Sequence, residues 1–213
     1  MKGKVKIWDL EVKDMRQKDK IVVEFNQDNL DRFLSEYYKT HRMSKEKKTG
    51  KDKPIIDSPI GRSMNKILVI TNRIVQNNHK HNRGLYTEFV LKELGLEILG
   101  ICETDLKVHF VFSTSIRHDL DNFGCGVKEY LDAFSDLGVI QDDNYSIIKS
   151  ITTTASYEKG VSKMIFIFEN CKYNVQATLE QMEKERIKRE KREATMSEKK
   201  AKKKIVKKKV IKK

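Results

Sequence analysis

The chain has 213 residues and a mass of 24.9 kDa, room for one ordinary domain with appendages or at most two small ones. Hydrophobic residues make up 38% and charged residues 35%, so part of the chain lies outside any core. The longest apolar runs, Ile67 to Ile70 and Met164 to Phe168, fall far short of the roughly 20 residues of a membrane span, and no apolar stretch follows Met1 to Lys6 as a secretory signal requires. A protein that stays in the cytoplasm is expected. Cys102, Cys125 and Cys171 show no Cys-x-x-Cys spacing and read as reduced, buried thiols.

Residues 1 to 64 read as an N-terminal extension with some structure of its own. Val5 to Val12 and Ile21 to Phe25 have strand composition. Asn29 or Asp31 is a candidate cap for a short helix bearing Leu30, Phe33, Leu34 and Tyr37. A flexible basic loop follows, Lys39 to Lys53, with seven Lys/Arg against Glu46 and Asp52. Then comes Pro54 to Ser63, which holds the only two prolines, and a domain boundary is expected there.

From residue 65 to 170 the pattern becomes regular. Ile67 to Thr71 reads as a strand, and Asn82 to Leu94 as a helix that Gly95 stops. Leu106 to Ser113 alternates apolar and polar residues as a strand does. Phe123, Val127, Tyr130, Leu131, Phe134 and Leu137 recur every three or four residues, an amphipathic helix ending at Gly138. Two more strands, Tyr145 to Thr154 and Ser162 to Glu169, are joined by a segment of turn composition, Ser156 to Gly160. The order β-α-β-α-β-β predicts an α+β fold, a single mixed sheet with helices packed on it. Residues 171 to 213 read as a charged helix grading into a Lys-rich tail. Glu183 to Lys213 carries 16 Lys/Arg against 5 Glu, which leaves only +2 of the chain's net +13 for residues 1 to 182. Such a tail is expected to be a disordered polycation, drawn to nucleic acid by counterion release or serving as a solubilising or targeting tail.

The chemically informative residues lie between a strand and a helix. Asp119 and Asp121 are separated by one residue, and in extended backbone such a pair points both carboxylates to one side, as the oxygen ligands of a hard cation must. Asp142 and Asp143 follow the next helix and precede a strand, so strand pairing offers a way to cluster the two pairs. The bland alternative is that Asp121 is an N-cap, Asp119 a solvated loop charge, and Asp142-Asp143 an ordinary turn.

Three elements, Arg117-His118-Asp119-Leu120-Asp121-Asn122, then Lys128-Glu129-Tyr130-Leu131-Asp132-Ala133, then Gly138-Val139-Ile140-Gln141-Asp142-Asp143, occur in the order found in the RusA-type crossover junction endodeoxyribonucleases, the Holliday junction resolvases, which this chain resembles over residues 65 to 170. The strand before the first element, the Lys159-Gly160 turn and, more weakly, Asn77-Asn78 extend the likeness. The resemblance implies a Mg²⁺-dependent endonuclease, Mn²⁺ serving in its place, that resolves four-way or other branched DNA in recombination and repair. It implies a homodimer, with no membrane and no organic cofactor. Asp119, Asp121 and Asp143 match the metal-binding aspartates, with Asp142 beside the third, and Lys128 matches the catalytic lysine when the helix is aligned backward from Asp143. Gly124-Cys125-Gly126 stands as a three-residue insertion, and forward alignment puts Cys125 in the lysine's place. The rival from another class is a non-catalytic nucleic-acid binder whose acidic residues are structural.

Overall fold

The computed structural model describes residues 18–45, 49–63, 65, 72–116 and 118–210, with no side-chain description at 193 and 196–210. The elements are β1 (Lys20–Phe25), α1 (Gln27–Tyr37), β2 (Ser44–Lys45), β3 (Asp52–Lys53), α2 (Arg73–Glu93), β4 (Ile101–Phe112), a 3-10 turn (Leu120–Phe123), α3 (Gly124–Asp136), β5 (Ile148–Tyr157), β6 (Lys163–Tyr173) and α4 (Val175–Val210). The fold is α+β, as the sequence pattern predicts. A mixed four-stranded sheet runs in the order β1-β6-β4-β5, and β2 and β3 make a separate two-stranded ribbon. Strand β4 is parallel to β5 and antiparallel to β6. The expected strand Ile67 to Thr71 lies outside the described residues.

The sheet corrects the expected boundary near residue 64. β1 pairs with β6 along its whole length, from Lys20 opposite Glu169 to Phe25 opposite Met164. Its period-2 alternation sends Ile21, Val23 and Phe25 inward, where they are fully buried in the same cluster as Leu106, Val108, Phe110, Met164, Phe166 and Phe168. Residues 20 to 37 are therefore one wall of the only large core among the described residues, not an appendage. Helix α1 is capped by Asn26, one turn before the expected caps. Its side-chain oxygen accepts from Asn29 N at 3.0 Å, while Asn29 Oδ1 accepts from Asn26 N at 3.1 Å, a reciprocal pair that satisfies two of the helix's free donors. Helix α2 starts at Arg73, nine residues before its expected start, with Asn72 as cap. Asn77 and Asn78 are consequently helical and form no turn.

Two further differences concern connections. β5 and β6 do not pair with each other: they flank β4, and the segment between them passes over its end, where Glu158 N donates to Phe112 O at 3.1 Å and Gly160 N to Ser113 O at 3.3 Å. The basic C-terminal region is helical rather than disordered as far as Val210. Its Ala, Glu, Lys and Arg residues are strong helix formers with no Gly or Pro among them, and Arg186 bridges Glu183 at 2.7 Å and Glu190 at 3.2 Å, which offsets part of the like-charge repulsion. Its first turns dock on the domain through buried Thr178 and through Met182, which closes over Gly138.

Helices α1, α2 and α3 bury Leu30, Phe33, Tyr86, Val90, Leu91, Tyr130 and Phe134 against the sheet. The opposite face carries cross-strand charges: Lys20 and Lys107 both reach Glu169, at 3.2 and 2.5 Å, and Lys172 reaches Glu103 at 2.6 Å. Those lysines hold both carboxylates below their ordinary range, so the ladder's support is present above that range and is lost as pH falls from it through the lowered values. Among the described residues no helix is long and apolar enough to cross a membrane. If β1 is core, Phe25→Ala should cost about 3–5 kcal/mol in denaturant unfolding, because its ring packs against Tyr86, Tyr130, Phe134 and Phe166; a loss below about 1 kcal/mol would return β1 to the status of an appendage.

Candidate active site

Helix α3 organises the site, and its first turn is where the unusual Gly124-Cys125-Gly126 lies. Segment Pro54 to Ser63 crosses that turn so closely that a Cβ on Gly126 would stand 2.8 Å from the carbonyl carbon of Gly61, and one on Gly61 would stand 2.7 Å from the Cα of Gly126. Only glycine at both positions permits this approach. The segment is a strap rather than a flexible loop. Ile56 and Ile60 are buried, and Tyr38 Oη accepts from Ile55 N at 2.9 Å. Arg83 on α2 donates to Ser58 O at 2.9 Å and Ile60 O at 3.5 Å, and Tyr130 Oη on α3 donates to Pro59 O. Burial pushes the Tyr130 hydroxyl up to about 12, so it remains a neutral donor. One turn along α3, Glu129 pairs with Arg62 of the strap at 2.7 Å, both side chains nearly sealed from solvent.

Lys128 is the neighbour of that buried pair but points outward. Its ammonium donates to Asp143 Oδ2 and lies 3.2 Å from Asp132 Oδ1, and Asp132 also takes Lys80 of α2 at 2.6 Å. Lys128 and Asp143, proposed from separate segments, are thus brought together. Cys125 is not part of this cluster. Asp142 is committed elsewhere: its oxygens accept from Asp143 N at 2.7 Å and Asn144 Nδ2 at 2.8 Å, the turn-stabilising role of the bland reading. Asp142 and Asp143 border a groove of about 800 Å³ between α3 and α4.

Asp119 and Asp121 stand just before the N-terminus of α3. Asp119 precedes the 3-10 turn without making a side-chain capping bond, and Asp121 Oδ1 accepts from Asn122 N at 2.8 Å. Asp119 lines a cleft of about 380 Å³ whose walls are His118, Phe112, Phe123 and the strap residues Asp57 and Arg62. The His118 ring packs against Phe112, centroids 4.2 Å apart and planes tilted by 31°, consistent with a packing role. Among the described residues no three carboxylate, His or Cys side chains converge to hold a metal ion. Arg117 lies outside the described residues.

The donor chemistry suits Mg²⁺ or Mn²⁺, since every proposed ligand is a carboxylate oxygen and the Asp119 side chain is not used as a cap. Sequence reading missed Arg62, Arg83, Glu129, Lys80 and Asp132. The Lys128–Asp132 pair was accessible as an i,i+4 spacing, whereas the strap contacts join residues 17 to 71 positions apart and carry no local signal. No protein-family model and no curated protein matches the chain.

Gly126→Ala should destabilise the protein by about 1–3 kcal/mol through overpacking against Gly61, measured by urea unfolding. Gly124→Ala, where a Cβ meets nothing within 4 Å, is the control. Equal effects from the two would remove the strap from the account.

Proposed function

We propose that the chain is a Mg²⁺-dependent endodeoxyribonuclease that hydrolyses phosphodiesters at four-way or other branched DNA junctions, working in the cytoplasm as a homodimer. The observation that carries this reading is the meeting of Lys128 with Asp143, two residues that the resolvase resemblance singles out in separate segments. In this reading Asp119, Asp121 and Asp143 would hold the cation, with Asp142 beside the third and engaged by its own turn. A cation so held would lower the pKa of water and neutralise charge on the phosphate. Lys128, kept near by Asp132, offsets charge developing on the phosphate or the leaving oxygen. Two copies suit the substrate, because a four-way junction has two equivalent strands to cut and a C2 dimer presents two equivalent sites.

A second reading draws on the basic C-terminal region: a non-catalytic nucleic-acid binder, with Asp142 a turn residue and Asp143 a counter-ion for Lys128. Incubating the protein with four-way junctions, flaps and linear duplex, with and without Mg²⁺, separates the two. Asp119→Asn, Asp121→Asn and Asp143→Asn should each abolish cleavage while junction binding persists, since the amide keeps the shape and loses the charge. Lys128→Ala should slow cleavage by about 10²-fold or more, with Cys125→Ala nearly silent. Near wild-type cutting by any two aspartate variants would sink the site.

The tail separates affinity from chemistry. Deleting Glu183 to Lys213 removes a net +11 and should flatten the salt dependence of junction binding, whose slope is about −0.9 per neutralised phosphate. Single-turnover cleavage at saturating DNA should survive. An unchanged slope would exclude the tail from DNA contact.

A further inference from the structure

Strand β5 is an edge guarded at one end only. Among the described residues its only strand partner is β4, and no described strand lies along the other side of this ten-residue strand. Edges left to solvent are ordinarily guarded by charge, Pro or a bulge. Lys149 and a register shift opposite Thr104 and Asp105 guard its start, but Ser150 to Tyr157 contains no Lys, Arg, Asp, Glu or Pro in a chain that is 35% charged, and its register with β4 runs unbroken from Ser150 to Tyr157. The opposite edge, the six-residue β1, carries Lys20 and Glu24.

The faces of β5 are equally telling. Ser150, Thr154 and Ser156 are tied on one face to Asp105 and His109. On the other face Ile151 and Tyr157 stand opposite Leu106 and Phe112 of β4, yet they are 56% and 53% exposed, because the helix layer does not cover this strand.

We propose that the free edge of β5 docks a second copy of this chain, antiparallel about a two-fold axis at Thr153, so that two four-stranded sheets become one. The inference deepens the two-copy arrangement proposed above by naming its surface. A two-fold axis normal to the sheet places a residue opposite its own copy, and centring it on Thr153 sets Thr152 against Thr154, Ser150 against Ser156 and Ile151 against Ala155 of the second copy. Ile151 then falls diagonally beside Tyr157 of the second copy, within reach of an aromatic ring, and Lys149 faces that ring. No like charges meet. Centring on Thr154 instead would oppose Lys149 to Lys159. The near-neutral charge of residues 1 to 182 adds little repulsion between the copies.

The register makes a sharp test. Thr153→Cys under mild oxidation should give a covalent dimer of twice the chain mass, whereas the wild-type chain with its three free cysteines and Val22→Cys on β1 should not. Ile151→Lys should shift the light-scattering mass of the chain from dimer to monomer with an unchanged circular dichroism spectrum. A wild-type monomer at every concentration would overturn both the interface and the two-copy reading. A dimer that persists in Ile151→Lys, or that cross-links through Val22→Cys and not Thr153→Cys, would overturn the β5 interface and leave the two-copy reading standing.

Discussion

Arg83 is 4% exposed, and a charge so buried persists only where its donors are used and its field is shared. Here the donors reach Ser58 O, Ile60 O and Tyr130 Oη, while the cation lies 5.2 Å from the Tyr130 ring centre and 6.0 Å from that of Tyr86. Three parts of the chain far apart in sequence, the strap, α2 and α3, are fixed to one planar group. Loss of any partner leaves an unpaired buried polar atom, costing about 1–3 kcal/mol. The strap's path over α3 follows from this clamp, and the cleft beside Asp119 takes one of its walls from that path.

What was legible in the sequence was whatever a short window contains. The alternation of β4, the three-and-four spacing of α3 and the stop at Gly138 are local patterns, and the observed elements lie within a few residues of where those patterns put them. The strand β1 was also visible as Ile21 to Phe25. Its membership of the main sheet was not, because pairing with β6 joins residues nearly 150 positions apart. Pro54 to Ser63 misled for the same reason: two prolines and polar neighbours look like a linker, and only Arg83, Tyr130 and Gly126, each distant in sequence, turn it into a buried strap. The tail misled through net charge, which counts Lys and Arg but ignores that the same residues are good helix formers, spaced against Glu over the first turns of the tail.

Of the candidate site, Lys128 and Asp143 were legible as a pair only through the three-element motif, since nothing in composition links them. Asp142 shows the limit of that reading: standing next to Asp143 is enough to match a motif, but its two oxygens are taken by the turn. The buried Arg62–Glu129 pair was illegible, because a Glu beside a Lys on an amphipathic helix looks solvated until its cross-chain partner is known.

The Gly124-Cys125-Gly126 turn at the start of α3 is set by packing, since a helix can begin there only where its first turn finds room beneath the strap. Gly126 supplies the room by sinking beneath the strap at Gly61. From there successive residues of α3 are each committed: Lys128 to Asp143, Glu129 to Arg62, Tyr130 to Arg83 and Pro59, Asp132 to Lys80. A helix held on so many sides cannot rotate to rescue one contact without breaking the others. The outward direction of Lys128 is therefore set by buried neighbours on either side of it, which is why a residue 57% exposed still has a defined position.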